Sequence, residues 1–300
     1  MSIHALRTPD ERFLDLPGFS FEPHYLDDLM GGLRIHYLDE GPPDAAHTIL
    51  CLHGQPTWSY LYRKMIPVFT AAGHRVVAPD FFGFGRSDKP TEDAVYTFTF
   101  HRDTLVRFIE RMEFRNITLV CQDWGGLIGL TLPMDMPERI TRLFAMNTAL
   151  ATGQVDPGPG FKAWKEYVAK NPDFSIATLM KRAAPELSDA ECAAYEAPYP
   201  DVSYRGGART FPLIVPVEPS MDGAEISQRA AAWLSSEWSG QTFMAAGRND
   251  PVLGIPAMMM LSKVIRGCPE PLIFENAGHF VQEAGAEVAE AGLASGILGL

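Results

Sequence analysis

The chain has 300 residues, of which 46% are hydrophobic, so it is long enough for one large domain with a sizeable core, or for one domain with an insertion. It carries 25 Lys and Arg residues against 37 Asp and Glu residues, a formal net charge of −12. This acidic balance disfavours nucleic acid and anionic membranes as partners.

The start of the chain and its cysteines both favour a cytoplasmic protein. Residues 1–12 contain no apolar core of signal-peptide length, and no run elsewhere is long enough to span a bilayer. Cys51 and Cys121 lie in predicted buried strands, where they are interpreted as small core hydrophobes. With Cys192 and Cys268 they show no C-x-x-C spacing, so neither disulfides nor a metal site are expected.

The first half of the chain alternates between predicted strands and helices. Segment 33–39 alternates polar and apolar residues, which is typical of an exposed edge strand. Segment 48–52 is continuously apolar, as expected of a strand covered on both faces. The other predicted elements of this half are strands at 75–79, 117–120 and 141–147 and helices at 59–72 and 100–112.

The alternation stops after residue 147 and resumes near the end of the chain. Residues 153–160 are a predicted loop, and residues 161–218 hold short helical pieces separated by prolines. Strands return at 241–247 and 270–276. We therefore predict an α/β fold with a mostly parallel central sheet flanked by helices. Its main domain comprises residues 1–148 and 220–300, and residues 149–219 form a helical insertion.

The segment 122–126, Gln-Asp-Trp-Gly-Gly, must turn the chain from a buried strand into a helix. Its spacing is that of the nucleophile elbow G-x-S-x-G, in which a tight turn exposes a nucleophile at a helix N-terminus. Two positions depart from that motif: Gln122 replaces the first glycine, and Asp123 replaces the serine. The pattern predicts a carboxylate nucleophile at Asp123.

Two further polar residues follow predicted strands, as Asp123 does. Asp250 comes after strand 241–247, and His279 comes after strand 270–276. Carboxyl ends of parallel strands share one edge of a sheet, so these side chains are expected to converge there. Their chain order, nucleophile, acid and histidine, is that of the hydrolases with this elbow. Taken singly, Asp250 before a proline fits a helix cap or turn equally well, and a lone His279 favours a structural role.

Together with these residues, several motifs show that the chain resembles the haloalkane dehalogenases, and most of all the branch that acts on short chlorinated and brominated alkanes. The resemblance covers nearly the full length and implies an α/β-hydrolase fold with the insertion as a cap. The motifs that carry it lie at residues 52–62, 80–88, 122–126, 161–164, 240–244 and 277–282.

An aspartate nucleophile suits displacement at a halogenated, saturated carbon. Serine would leave an ether there, whereas a carboxylate leaves an ester that water can cleave. Since an ionised carboxylate needs no base, His279 would act only in the second step, as the base that deprotonates water. Asp250 would orient His279 and stabilise its imidazolium form.

The resemblance also implies how the leaving halide and the ester oxygen are stabilised. Trp124 and Trp164 would bind the halide through their indole N–H groups, which only donate hydrogen bonds. The backbone N–H groups of Gln55 and Trp124 would form the oxyanion hole. Related members often carry Glu at position 55, so a role of the Gln55 side chain in positioning water is left open. The other tryptophans, Trp58, Trp233 and Trp238, are expected to fill the core.

The cap is expected to close a mostly apolar pocket over the nucleophile. By resemblance its lining includes Phe161, Phe211, Pro212, Val215 and Phe81. Ordinary packing explains the same residues equally well. Bulky lining predicts a small pocket, and hence small haloalkanes that are converted with water into a primary alcohol, halide and a proton.

Three other functions compete with this hypothesis. An epoxide hydrolase also uses an elbow aspartate but needs proton donors, usually two cap tyrosines, for which the insertion offers Tyr167, Tyr195, Tyr199 and Tyr204. Gln122 and Trp164 favour the dehalogenase. A fluoroacetate dehalogenase often carries arginine directly after the nucleophile, where this chain has Trp124. A non-catalytic sensor is disfavoured because Asp123, Asp250 and His279 are all present.

The expected partners are therefore a small apolar halogenated substrate, halide and water. No Gly-Lys-Ser sequence follows the His53-Gly-Gln-Pro loop, and the eight histidines are scattered. We expect no cofactor and no metal, and a monomer as in the family generally.

Overall fold

The computed structural model describes residues 3–298, and over that range its centre is one eight-stranded sheet. In chain order its strands are β1 (His24–Met30), β2 (Leu33–Glu40), β3 (Thr48–Leu52), β4 (Arg75–Pro79), β5 (Ile117–Gln122), β6 (Ile140–Met146), β7 (Gln241–Gly247) and β8 (Leu272–Phe274). In the sheet they lie in the order β8-β7-β6-β5-β3-β4-β2-β1. All neighbours from β8 to β4 pair in parallel, whereas β2 pairs antiparallel with β4 and with β1. The mostly parallel sheet predicted from the sequence is confirmed.

Helices fill the connections between the strands. They are α1 (Ile66–Ala71), α2 (Phe98–Arg111), α3 (Trp124–Gly129), α4 (Gly158–Lys170), α5 (Ile176–Ala183), α6 (Asp189–Glu196), α7 (Gly206–Ile214), α8 (Ala224–Ser236), α9 (Ile255–Val264) and α10 (Gly285–Ala294). Short 3₁₀ turns lie at Asp10–Phe13, Ser59–Tyr62, Asp93–Val95, Val202–Arg205 and Val281–Ala284, and Ala5–Leu6 pairs with Lys89–Pro90 beside the main sheet. Across residues 3–298 no helix combines the length and apolar character needed to cross a membrane.

The middle of the sheet is the core. Every residue of β3 and of β5 is buried, in keeping with the apolar runs 49–52 and 119–121 within them. Because β3, β5, β6 and β7 run in parallel, their carboxyl ends meet at one edge of the sheet. The predicted polar cluster is located at that edge.

Two sequence-based expectations need correction. The segment around β2 is not an exposed edge strand, since β1 pairs with its outer side and most of β2 is buried. The predicted helix at 59–72 is divided into the Ser59–Tyr62 turn and the separate helix α1. Pro67 lies at the start of α1, and proline is accommodated there but not in a helix interior.

Between β6 and β7 the chain forms helices without adding a strand to the sheet. Helices α4 to α7 fall within the predicted insertion, and α8 follows it. Together with α9, several of them surround the cavity described next.

Candidate active site

Asp123 occupies a sharp turn between β5 and α3. Its φ of 49° and ψ of −125° place it in a region that side-chain-bearing residues rarely adopt. The conformation is held from both sides: Asp123 N donates to Asn147 O at 3.0 Å, and Thr148 Oγ1 donates to Asp123 O at 2.8 Å. The sequence-predicted elbow is therefore present, with the carboxylate at its tip.

Two glycines allow the neighbouring chain to approach this turn. A Cβ on Gly125 would lie 2.0 Å from Leu52 O, and one on Gly54 would lie 2.3 Å from Asp123 Oδ1. Both distances are far below van der Waals contact, so only glycine fits at either position. The close approach brings the loop after β3 alongside the Asp123 carboxylate.

Backbone donors converge on this carboxylate. Gln55 N donates to Asp123 Oδ1 at 2.7 Å, and the backbone N–H of Trp124 contributes a second hydrogen bond. Burial is the largest influence on the carboxyl and raises its pKa, while His279 and these two N–H groups act in the opposite direction. Oδ1 is thus already bound by the Gln55 N–H, one of the two donors expected for an oxyanion hole, and Oδ2 faces His279.

His279 and Asp250 form a hydrogen-bonded pair beside Asp123. His279 Nδ1 lies 2.8 Å from Asp250 Oδ2, and His279 Nε2 lies 3.8 Å from Asp123 Oδ2. Burial disfavours the charged form of each residue, but their mutual attraction outweighs it and lowers the pKa of Asp250. The charges of Asp250 and Asp123 likewise overcome burial and raise the pKa of His279 to about 9. The three residues that the sequence predicted to converge do lie together.

Asn147, which the sequence analysis treated only as the end of a strand, belongs to the same cluster. Its Nδ2 donates to Asp250 Oδ2 at 2.9 Å and to Gly278 O at 3.0 Å, while its Oδ1 accepts from Gly247 N at 3.0 Å. It therefore links the loops that carry Asp250 and His279. The available signal was a polar residue at the end of a predicted parallel strand.

Trp124 and Trp164 both line the cavity next to Asp123. Over residues 3–298, neither indole Nε1 donates to a protein acceptor, whereas Trp58 Nε1 donates to Ala194 O and Trp238 Nε1 donates to Thr242 Oγ1. Trp233 lies outside the cavity lining. The two tryptophans predicted to bind halide thus have N–H groups available at the site.

The cavity has a volume of about 1100 Å³. It is larger than the bulky residues in the insertion led us to expect. Phe161, Pro212 and Val215 line it as predicted, together with residues of α5 and α9.

Phe81 and Phe211 do not line the cavity, so this part of the predicted lining is corrected. Phe211 packs behind Trp124, with ring centroids 4.5 Å apart, and Phe81 packs on His53 at 4.9 Å. Both are buried, and they support the inner wall from behind. The positions of Phe81 and Phe211 in the sequence could not show whether their rings face the cavity or lie behind its wall.

The Gln55 side chain is anchored to the insertion. Its Nε2 donates to Ala208 O in α7 at 2.8 Å. This hydrogen bond connects the loop that supplies the Gln55 backbone donor to helix α7. A glutamate at this position would lack that N–H donor.

The tyrosines of the insertion do not form a pair over Asp123. Tyr195 donates to Glu283, and Tyr199 OH donates to Pro56 O at 3.2 Å. Of the four candidates within the described chain, Tyr167 alone lines the cavity. The two-tyrosine proton donor of an epoxide hydrolase is therefore not assembled here.

Comparisons with known proteins agree on one family. A family model for the α/β hydrolase fold matches residues 47–286. The chain is 46% identical to a haloalkane dehalogenase from Psychrobacter cryohalolentis, over 95% of both chains, and 41% identical to one from Mycolicibacterium paratuberculosis, over 96% of this chain and 97% of the other. Among solved structures, the tetrameric haloalkane dehalogenase DpaA from Paraglaciecola agarilytica NO2 matches with a TM-score of 0.95 and 52% identity, over 98% of this chain and 99% of that one.

Proposed function

Because the chain belongs to the haloalkane dehalogenases, a family with the α/β-hydrolase fold, we propose that Asp123 is its nucleophile, His279 its general base and Asp250 the acid that orients the base. The enzyme is a hydrolase that acts on carbon–halide bonds and converts haloalkanes with water into the alcohol, halide and a proton. The observation that carries the residue assignment is the juxtaposition of an elbow carboxylate, a His–Asp pair and two unpaired indole donors on one cavity.

In the first step Asp123 Oδ2 attacks the carbon that bears the halogen. A bond forms between Oδ2 and carbon, and the carbon–halogen bond breaks with its electron pair leaving on the halide. Oδ1 becomes the carbonyl oxygen of the ester, since Gln55 N already binds it at 2.7 Å. The halide departs towards the N–H groups of Trp124 and Trp164, which stabilise its charge without adding a cation that would retain it.

In the second step His279 Nε2 takes a proton from water, whose oxygen attacks Cγ of the ester. Negative charge then develops on Oδ1, where the Gln55 and Trp124 N–H groups stabilise it. Collapse breaks the Cγ–Oδ2 bond, and the departing alkoxide takes the proton from His279. The new carboxylic acid of Asp123 ionises, which accounts for the proton released in the overall reaction.

Ester formation also prepares the base for its task. The charge of Asp123 is one of the influences that raise the pKa of His279, and esterification removes it. The imidazole therefore becomes easier to deprotonate at the stage at which it must act as a base. Asp250 remains charged and continues to hold Nδ1–H.

The halide assignment predicts a measurable loss of bromide binding in two variants. We expect bromide to quench the intrinsic fluorescence of the enzyme at a saturable site, and Trp124→Phe and Trp164→Phe each to weaken that binding about tenfold or more, since a hydrogen bond to a charged group contributes ~1.5–3 kcal/mol. Fluorescence titration at constant ionic strength measures this. Trp238→Phe, which alters a tryptophan outside the cavity, is the control and should keep the wild-type affinity. Unchanged affinity in both cavity variants would remove the assignment.

We also propose the domain boundaries and setting expected from the sequence. Residues 149–219 would form the cap, and residues 1–148 and 220–300 the main domain; the packing of α4, α5 and α7 around the cavity supports this. The free cysteines Cys51, Cys121, Cys192 and Cys268 are consistent with a reducing cytoplasm.

The monomer remains a prediction, and the relative from Paraglaciecola agarilytica is a tetramer.

A further inference from the structure

Gln122, the last residue of β5, lies directly against the catalytic histidine. Its side chain is fully buried, and its Nε2 lies 3.0 Å from His279 Nε2 and 3.2 Å from His279 O. The elbow motif has glycine here, which could make neither contact. A buried polar side chain at this position therefore calls for an explanation beyond the turn itself.

The contact with the His279 carbonyl determines which way the amide faces. A carbonyl oxygen accepts hydrogen bonds, so the NH₂ end of Gln122 must point towards it. The same NH₂ group then presents its second hydrogen to His279 Nε2. Within residues 3–298 the opposite end, Oε1, is buried without a partner, so nothing on that side favours the reverse orientation.

An N–H donor next to Nε2 selects one protonation state of the imidazole. Nδ1 carries the proton that it shares with Asp250, and Nε2 must then offer its lone pair to Gln122. An imidazolium would instead direct Nε2–H at the amide NH₂, placing two donors against each other. Gln122 therefore stabilises the neutral ring and opposes its protonation.

The charged groups around the ring act in the other direction. Asp250, after β7, and Asp123, at the elbow, both raise the pKa of His279, and burial lowers it. Asn147, after β6, contacts the backbone of His279 and carries no charge. From the cap, Arg182 of α5 lines the same cavity with an exposed side chain, as does Asp156 of the loop before α4. Among the described residues, the group within hydrogen-bond distance of His279 Nε2 is the uncharged amide of Gln122.

We propose that Gln122 is a positioning residue that favours the neutral Nδ1–H tautomer of His279 once Asp123 is esterified, with the Nε2 lone pair kept available for the water that cleaves the ester. When water takes that lone pair, the amide keeps its bond to the His279 carbonyl and the ring stays in place. The inference rests on the proposed roles of Asp123 and His279 and adds a third group that favours the basic, neutral form of His279.

Two variants test the proposal, one by removing the N–H donor and the other by replacing it with an acceptor. Gln122→Met has a similar length but no donor, and Gln122→Glu places an acceptor next to Nε2. Both should favour the imidazolium. We expect the pH at half-maximal ester hydrolysis to rise by about one unit or more in Gln122→Met and further in Gln122→Glu, in line with the loss of one hydrogen bond to the neutral ring and the gain of one to the charged ring. Ester hydrolysis should slow at neutral pH and recover in alkaline buffer.

The measurement is a single turnover of 1-bromobutane at a series of pH values, followed by acid quenching and intact-protein mass. Isotope-labelled histidine adds a readout independent of activity, since NMR titration of the resting enzyme should show the same order of His279 pKa values; the signal is assigned by its loss in His279→Gln. Cys121→Ala alters the preceding buried residue of β5 and is the control, expected to leave both readouts at wild-type values.

Each outcome decides the matter. Coincident pH profiles in all variants, or a uniform loss of rate without a shift, would reduce Gln122 to a structural role and overturn the proposal. A downward shift in Gln122→Met would mean that the amide oxygen faces the ring, which also overturns it. Failure of the wild-type enzyme to form the ester would overturn the proposed function instead, so the two failures are distinguishable.

Discussion

Replacing His279 with glutamine is expected to allow the release of one bromide per active site and then to stop turnover. The first step needs no base, because Asp123 attacks as a carboxylate, but the second step loses the group that activates water. Steady-state turnover should fall by about 10²–10⁴-fold, the range that general base catalysis contributes. Incubation with 1-bromobutane should add the mass of one butyl group, in place of a proton, to the intact protein.

A matched control separates this effect from a general loss of folding or activity caused by a His→Gln substitution. His24→Gln makes the same change at an exposed histidine in β1 and should turn over normally without accumulating an adduct. An inactive His279→Gln enzyme that folds, releases no bromide and carries no added mass would contradict the two-step assignment. Retained turnover would contradict the role of His279 as base.

Replacing Asp123 with asparagine is expected to have a larger effect, because it removes the first step as well. The amide oxygen is uncharged and a poor nucleophile, so neither a bromide burst nor an adduct should appear. Loss of one member of a nucleophile–histidine–acid triad lowers turnover by about 10⁴–10⁶-fold. Bromide release under single-turnover conditions measures this.

The same variant should not lose stability. Burial raises the pKa of the Asp123 carboxyl, so ionisation of this group opposes folding at neutral pH, and a neutral amide relieves that cost. We expect an unfolding temperature at pH 7 equal to or above that of the wild-type enzyme. Asp28→Asn at an exposed site of β1 provides the comparison and should change neither activity nor stability appreciably. Bromide release by Asp123→Asn near the wild-type rate would exclude Asp123 as the nucleophile.

The elements that the sequence predicted well are the strands that are covered on both faces of the sheet. The predicted strands 48–52 and 241–247 coincide with β3 and β7, because continuous apolar runs require cover on both faces. Strand β1 was missed because Asp27 and Asp28 interrupt its hydrophobic pattern. The Gly31-Gly32 turn that joins it to β2, with both residues at positive φ, was a hairpin signal that could have identified it.

The candidate site was predictable as far as sheet topology determines it. Asp123, Asp250 and His279 each follow a parallel strand, and the parallel arrangement brings such positions to one edge. The contacts of Asn147 and Gln122 depend instead on which loops lie next to each strand end. The spacing of residues along the chain carries no information about that arrangement. The orientation of Phe211 behind Trp124, rather than into the cavity, likewise depends on how α7 packs against Trp124.

The central claim, that an ester on Asp123 precedes the alcohol, is tested most directly by a single turnover in water enriched in ¹⁸O. Water attacks Cγ in the proposed second step, so the alcohol leaves with an original oxygen of Asp123, and the carboxylate retains the oxygen from water. With enzyme in excess over 1-bromobutane, the account predicts unlabelled butanol and ¹⁸O in the peptide that contains Asp123. Butanol labelled in that first turnover, with an unlabelled peptide, would show direct attack of water on the substrate carbon and would contradict the account.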